Sequence, residues 1–133
     1  MNNTEFLDEW AELLIADAKN SRNNAFYLGN TSVGAALLTD EYKIFSGCNV
    51  NHKFRCDDIH AEINAIGSMI NAGEIKILAM VVVAERDKFT PCGRCMDWIF
   101  QFGGKDVIIL YCDLRNNNIS TYTANELMPH YPH

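Results

Sequence analysis

The sequence predicts an α/β fold, a three-layer α-β-α sandwich built on a mixed five-stranded sheet. The predicted elements run helix, strand, strand, helix, strand, helix, strand, a weaker strand and a short helix. Alternating strands and helices form crossover connections, which place strands in parallel and cover both faces of a sheet. Two predicted strands are continuous apolar runs, as is typical of buried strands. With 133 residues, 48% of them apolar, we expect one domain spanning residues 1–133.

The first third of the chain contains a predicted helix and a predicted hairpin. Apolar residues recur at helical spacing from Thr4 to about Ser21, which predicts one amphipathic helix with Thr4 or Asn3 as its N-cap. The segments Ser32–Leu38 and Lys43–Val50 are short and apolar, and the turn TDEY joins them. They therefore predict an antiparallel pair of strands.

The rest of the chain alternates helices with strands. A helix is predicted over residues 59–72, capped by Asp57 or Asp58, and the buried strand KILAMVVVAE follows it. The segment TPCGRCMDWIFQFGG predicts a loop and a helix that ends at Gly103 and Gly104. The strand DVIILYCD, a weak strand in NNNISTYT and a short helix in ANELMPHYP complete the order.

Charge and composition argue against several classes of partner. The formal net charge is −6 and no basic cluster occurs, which argues against binding to nucleic acid. No apolar run approaches the roughly 18 residues that span a bilayer. The start, MNNTEFLDEW, is polar and acidic, unlike a signal peptide, so we expect a cytoplasmic protein with no membrane partner. The five cysteines are an odd number, which favours metal binding or catalysis over a disulfide framework.

Four residues have a spacing that suits metal chemistry. Cys92 and Cys95 are three apart at the start of one predicted helix, so both thiols can hold one ion. His60 and Glu62 lie about 200° apart on a helix. Their spacing therefore fits a helix whose N-terminus faces the site, with His60 as ligand and Glu62 near a bound water. Three ligands with an open fourth position are typical of catalytic zinc.

Each member of this group also has a simpler interpretation. The cysteines can be core residues or half of a structural zinc site, His60 a surface residue at a helix cap, and Glu62 a solvated acid. If the site is catalytic, zinc lowers the pKa of its water towards about 7 and Glu62 transfers protons. The two helix N-termini are expected to lower the thiol pKa values. Cys56 is a further possible ligand.

The motif formed by HAE at His60–Glu62 and PCGRC at Pro91–Cys95 is that of zinc-dependent nucleobase deaminases. From SVGAALLTD to PCGRC the chain resembles the cytidine deaminase family, with VGAAL, GCNV, AE and PCG-C in the family's order. PCGRC and NVNH look more like blasticidin-S deaminases. The resemblance implies a cytidine deaminase-like fold, Zn²⁺, a free nucleoside substrate and a homotetramer that shares residues between active sites.

The resemblance also implies a reaction. Zinc on His60, Cys92 and Cys95 would activate water for attack at C4 of cytosine. Glu62 would deliver a proton to N3 and then protonate the departing amine. The backbone of Ala61 would contact the base.

The zinc site departs from the usual pattern of the family. The family usually has Cys-Ala-Glu-Arg where this chain has His60, Ala61, Glu62 and Ile63. One neutral histidine and two thiolates balance the charge of Zn²⁺, so the arginine missing at Ile63 is tolerable. Arg94 either stiffens the thiolates or is solvated.

The expected substrate contacts depart as well. The family reads ribose hydroxyls with an Asn and a Glu, and this chain has Asn49 but Asn51 at the Glu position. An amide is a weaker partner for a hydroxyl than a carboxylate. Thr31 stands where the family has the ring that stacks on the base, and Phe26 or Tyr27 remains as a substitute.

Two other functions remain possible on sequence alone. Another deaminase of the superfamily could act on a free base, a nucleotide or tRNA adenosine, and Lys53 and Arg55 leave a nucleotide possible. The acidic chain argues against tRNA. A zinc-binding module without catalysis is the alternative of another class, but it would not require Glu62.

Overall fold

The fold is the predicted sandwich, and the computed structural model describes residues 1–132. The helices are α1 (Asn3–Glu9), α2 (Ala11–Arg22), α3 (Ala61–Asn71), α4 (Gly93–Gly103) and α5 (Ala124–Leu127). A 3₁₀ turn covers Arg55–Asp57. The strands are β1 (Gly34–Thr39), β2 (Ile44–Cys48), β3 (Ile77–Ala84), β4 (Ile108–Asp113) and β5 (Asn118–Thr123).

The sheet is mixed, as expected, with the strand order β2-β1-β3-β4-β5. β3 and β4 pair in parallel, and the other neighbours are antiparallel. α4 makes the crossover between the two parallel strands, so the segment that leaves the carboxyl end of β3 leads directly to the N-terminus of α4.

A hydrophobic core on each face of the sheet confirms the three layers. One core packs α1 and α2 against the sheet and includes Phe6 and Leu14, both fully buried. The other core packs α3 and α4 against the opposite face and includes Met69 and Ile99. Within residues 1–132, no helix combines the length and the apolar character needed to cross a bilayer.

The N-terminal helix differs from the prediction because it is broken at Trp10. The φ of Trp10 is −121°, outside the helical range, yet the flanking hydrogen bonds to and from this residue are kept. The helical spacing of apolar residues therefore continues through the break, and periodicity alone does not reveal it. Asn2 caps α1 by accepting a hydrogen bond from the amide of Glu5 at 2.8 Å, so the predicted caps Thr4 and Asn3 are wrong.

The start of α3 also differs from the prediction. Ile59 forms a bridge with Val50 through two backbone hydrogen bonds, so the helix begins two residues later and His60 is its N-cap. Asp58 instead accepts a hydrogen bond from the backbone amide of His52 at 2.7 Å. The prediction of Asp57 or Asp58 as the cap is therefore wrong. The C-terminus of α4 is as predicted, with Gly104 at φ 80° as its C-cap.

Gly47 allows α3 to lie close against β2. A Cβ atom at this position would lie 2.5 Å from the amide nitrogen of Ala65 and 2.8 Å from the carbonyl oxygen of Ala61. We expect Gly47→Ala to lower the free energy of unfolding by about 1–3 kcal/mol, because backbone atoms of α3 must move. Urea unfolding measures this. Gly29→Ala is the control, since a Cβ there meets nothing within 4 Å and we expect no loss of stability.

Candidate active site

The N-termini of α3 and α4 meet at a group of three possible metal ligands. His60 and Cys92 are the N-cap residues of these helices, and Cys95 lies in the first turn of α4. Nδ1 of His60 is 3.3 Å from Sγ of Cys92 and 3.4 Å from Sγ of Cys95. The three ligand atoms all lie within 4.8 Å of one another. The N-terminus of α3 therefore faces the site, as the spacing of His60 and Glu62 predicted.

The three donors fit a zinc ion. Tetrahedral zinc with ordinary bond lengths places its nitrogen and sulfur ligands about 3.5 Å apart, close to the distances found here. Burial lowers the pKa of His60, and Arg94 lowers it further, which favours the neutral imidazole that binds metals. One imidazole and two thiols also form a known set of catalytic zinc ligands.

The pKa of Cys95 is raised, whereas the helix N-terminus was expected to lower it. Burial is the largest cause, and the neighbouring Glu62 and Cys92 add to it. Burial thus disfavours the thiolate form of Cys95, contrary to the expectation from the helix N-terminus. A cation at the site is needed to stabilise the thiolate form, which is consistent with a metal centre.

Glu62 lies beside the metal ligands and is almost completely buried. It is the second residue of α3, its side chain is hydrogen-bonded to that of Cys95, and only 3% of it is exposed. Burial raises the pKa of its carboxyl group. A carboxyl group with a raised pKa exchanges protons closer to neutral pH, which suits a general acid and base.

A cavity of about 520 Å³ opens over these groups. Its wall includes His60, Cys92 and Glu62. The three residues expected to contact a substrate also line it, namely Asn49, Asn51 and Ala61. This volume lies within the range of pockets that bind small molecules.

Asn49 joins the loop before β1 to the end of β2. Its Oδ1 accepts a hydrogen bond from the amide of Val33 at 2.7 Å, and its Nδ2 donates to the carbonyl oxygen of Thr31 at 3.1 Å. The second N–H of the side-chain amide has no hydrogen bond within residues 1–132. The side chain is thus rigidly held and retains one donor.

Asn51 is linked to a carboxylate that the sequence analysis assigned to a helix cap. Its Oδ1 accepts from the amide of Leu28 at 3.1 Å, and its Nδ2 donates to Asp58 at 3.3 Å. Asp58 is 6% exposed and lines the cavity. The cavity therefore contains a carboxylate next to the position where a Glu was expected.

The aromatic ring in the cavity wall is Phe89. Phe26 and Tyr27 are not part of this wall, and they are 58% and 50% exposed. Phe89 lies in the loop between β3 and α4, and its ring centroid is 5.5 Å from that of Tyr111. Sequence reasoning missed it, because a loop has no periodicity and its only signal is proximity to PCGRC.

Arg94 and the remaining cysteines lie outside the ligand group. Arg94 donates a hydrogen bond from Nη1 to the carbonyl oxygen of Asp58 at 3.1 Å, which links α4 to the segment before α3. Cys56 is exposed and is not one of the three clustered ligands. Cys112 is buried in β4, and Cys48 is only partly buried.

Known proteins share this sequence pattern and this fold. Residues 8–111 match the family described as "Cytidine and deoxycytidylate deaminase zinc-binding region". The chain belongs to the zinc-dependent cytidine deaminase family. A cytidine deaminase from Sporosarcina psychrophila is 30% identical over 120 residues, which cover 89% of this chain and 88% of that protein.

Solved structures agree with the family assignment. A cytidine deaminase from Burkholderia pseudomallei superposes with a TM-score of 0.84 at 29% identity, covering 92% of this chain and 98% of the other. A cytidine deaminase from Mycobacterium tuberculosis has the same fold, with a TM-score of 0.81 at 24% identity over 94% of this chain and 98% of that one. The chain is a hydrolase of the cytidine deaminase type, and zinc is its cofactor.

Tyr111 holds the loop that leads from β3 to the metal ligands. Its hydroxyl group lies 3.2 Å from the carbonyl oxygen of Ala84, contacts that of Arg86, and accepts a hydrogen bond from the Arg86 amide at 3.2 Å. We expect Tyr111→Phe to lower the free energy of unfolding by about 1–3 kcal/mol, because buried partners lose their hydrogen bonds. KM should also rise. Thermal unfolding and steady-state kinetics measure both.

The matched control for this change is Tyr122→Phe. The hydroxyl group of Tyr122 has no hydrogen bond within the described part of the chain, so its removal should alter neither quantity. Equal effects of the two substitutions would contradict the positioning role of Tyr111.

Proposed function

We propose that this protein catalyses the zinc-dependent hydrolytic deamination of a free cytosine nucleoside. Cytidine or deoxycytidine would react with water to give uridine or deoxyuridine and ammonia. The observation that carries this proposal is the buried Glu62 next to a group of only three metal donors, inside a cavity. A structural zinc site would have four ligands and no need of a general base.

In the proposed mechanism, His60, Cys92 and Cys95 hold the zinc. When bound, zinc acts as a Lewis acid that lowers the pKa of water towards about 7. Glu62 takes the proton that the attacking water loses and passes it to N3 of the cytosine ring. It then takes the remaining proton from the hydroxyl group added at C4 and passes it to the amino group, so the C4–N bond breaks, ammonia leaves and the C4 carbonyl forms. The raised pKa of Glu62 suits this repeated transfer.

The substrate contacts proposed for the ring and sugar are those of Ala61, Asn49 and Asn51. Ala61 is the first residue of α3 and is fully buried, so its backbone is fixed against the cavity. The donor that Asn49 retains can bind a sugar hydroxyl group. Asn51 acts together with Asp58, since the two side chains are hydrogen-bonded and line the same wall.

An ultraviolet assay tests this function. Cytosine and uracil rings absorb differently, so we expect zinc-loaded protein to change the absorbance of cytidine and deoxycytidine. Free cytosine and adenosine are the comparison substrates and should react far more slowly. If neither nucleoside reacts, blasticidin S is the next compound, because PCGRC and Asn51 favour that alternative. No reaction with any of these compounds would favour a zinc-binding module without catalysis.

We also propose that residues 1–133 form one catalytic domain, which acts in the cytoplasm as a homotetramer. An apolar groove on the outer side of α3 and α4 supports the assembly. Ile63, Ile66 and Ile70 line this groove together with Trp98. Trp98 is 40% exposed and Ile70 is 41% exposed, although both are large apolar residues. Contact with another copy of the chain would cover them.

The variant Trp98→Glu tests the assembly. We expect it to reduce the molar mass in light scattering from about four chains to fewer, because a charge would be buried at the contact. The chain mass is 15.0 kDa. Ile75→Glu is the control, since Ile75 is 71% exposed and does not line the groove. A Trp98→Glu tetramer would show that this groove is not the interface.

A further inference from the structure

Asp58 is a buried carboxylate in the wall of the cavity, and the proton transfers of the proposed mechanism do not use it. Its side chain is 9% exposed, and it lines the cavity together with His60. Among the described residues, the only other carboxyl group in this wall belongs to Glu62, which is hydrogen-bonded to Cys95. Because Glu62 is assigned to proton transfer, Asp58 is the carboxylate that remains for binding the rest of a substrate.

The backbone places Asp58 beside the metal ligands but displaced from them. Residues 58–60 are extended, since Ile59 forms a bridge with Val50 and His60 has φ −78° and ψ 154°. Side chains two residues apart on an extended segment point to the same side and lie about 6–7 Å apart. Asp58 therefore faces the same cavity as His60, at a short distance from the metal donors.

Three hydrogen bonds fix the orientation of the Asp58 carboxylate. Its Oδ1 accepts from the amide of His52 at 2.7 Å, and its Oδ2 accepts from Nε of Arg55 at 2.9 Å and from Nδ2 of Asn51 at 3.3 Å. A carboxylate has about four acceptor positions, so one position on Oδ1 has no donor within residues 1–132. A side chain that is already ordered loses little conformational freedom when it binds a ligand, which favours specific recognition.

Asn51 is held with its donor group, not its acceptor, towards this carboxylate, although a glutamate was expected at position 51. Oδ1 of Asn51 accepts from the amide of Leu28 at 3.1 Å, and Nδ2 of Asn51 donates to Asp58. The amide oxygen is thus directed at the backbone of the loop before β1. A hydroxyl group also binds a carboxylate more strongly than it binds an amide oxygen. Asp58 is therefore the better acceptor of the two.

The geometry of a cytosine nucleoside fits a carboxylate at this place. In the cytosine ring, C4 and the sugar-bearing N1 lie on opposite sides, so a ring with C4 at the metal ligands directs its sugar away from them. A sugar hydroxyl group is both a donor and an acceptor. It can accept from the N–H that Asn49 retains and donate to Asp58, since both side chains line the cavity.

We propose that Asp58 makes this site specific for a nucleoside, because it accepts a hydrogen bond from a hydroxyl group of the sugar ring. The carboxylate that binds the sugar has thus moved from position 51 to position 58, and Asn51 is a positioning residue that holds it. The inference rests on the proposed function, since the ring is deaminated by the same zinc site and Glu62.

The experiment compares cytidine with 2′,3′-dideoxycytidine as substrates of the zinc-loaded full-length protein. We expect kcat/KM for cytidine to exceed that for the dideoxynucleoside by about tenfold or more, as a hydrogen bond to a charged group gives. The two monodeoxycytidines then identify the hydroxyl group that is bound. Calorimetry with uridine and 2′,3′-dideoxyuridine should show the same preference in Kd without turnover.

Asp58→Asn keeps the shape of the side chain and removes the carboxylate. We expect it to abolish most of the preference for cytidine, both in kcat/KM and in Kd, while the dideoxynucleosides are affected much less. A disturbed loop would instead weaken all substrates equally. Asp57→Asn is the matched control, because Asp57 belongs to the same 3₁₀ turn but is 62% exposed and does not line the cavity. It should leave the preference unchanged.

The possible results separate this inference from the proposed function. If the wild-type protein deaminates 2′,3′-dideoxycytidine as efficiently as cytidine, the inference is wrong and the proposed function stands. A preference that survives in Asp58→Asn, or that falls equally in Asp57→Asn, also overturns it. If neither cytidine nor any of its deoxy forms reacts, the proposed function fails and the inference fails with it.

Discussion

The Glu62→Gln variant should bind zinc as fully as the wild-type protein and deaminate cytidine at least about a hundredfold more slowly. Glutamine keeps the size of the side chain but does not exchange protons, and a positioned general acid and base contributes roughly 10²–10⁴-fold to a rate. Glu62 is buried and hydrogen-bonded to Cys95, so no other carboxylate takes its place at the same point. The absorbance assay gives the rate, and elemental analysis gives the zinc content.

Glu12→Gln is the control for this substitution. Glu12 is exposed in the first turn of α2, on the other face of the sheet, so its loss should change neither rate nor zinc content. A Glu62→Gln variant whose rate stays within tenfold of wild type would show that Glu62 is not the proton carrier. Loss of zinc in this variant would instead indicate a structural role near the ligands.

The metal group was predictable because its signal is local in sequence. His60 and Glu62 belong to one helix start, and Cys92 and Cys95 to another, and helical geometry limits where such pairs can point. The alternation of strands and helices then brings the two helix starts to the same region. A few residues and one topological rule were sufficient to expect the grouping that the structure shows.

The rest of the cavity was not predictable by the same reasoning. Arg86 and Phe89 lie in an irregular loop, where neither period nor propensity shows which side chains face inwards. Asp58 was assigned to a helix cap because aspartate is common there, but the backbone amide of His52 and the side chain of Arg55 bind it instead. The preference of aspartate for helix N-caps was thus outweighed by the hydrogen bonds of this loop, which the sequence does not predict.

Of the substitutions at the metal group, Cys92→Ala should have the largest effect on zinc. It leaves His60 and Cys95 as the only members of the ligand group. Loss of a residue that merely orients a ligand already costs about 10–100-fold in metal affinity, so loss of a ligand should cost more than about a hundredfold. Zinc per chain after dialysis against a weak chelator measures this, and deamination should disappear with the metal.

Cys56→Ala is the control for this substitution, because it removes a thiol that is not one of the three clustered ligands. Cys56 is exposed, like Cys92, and lies before α3 but outside the group of clustered donors. Its substitution should leave zinc content and rate unchanged, which would also exclude it as the further ligand considered from sequence. Full zinc occupancy in Cys92→Ala would contradict the proposed ligand set. Added zinc should restore activity in neither dialysed Cys92→Ala nor Glu62→Gln, because the first cannot hold the ion and the second cannot move the proton.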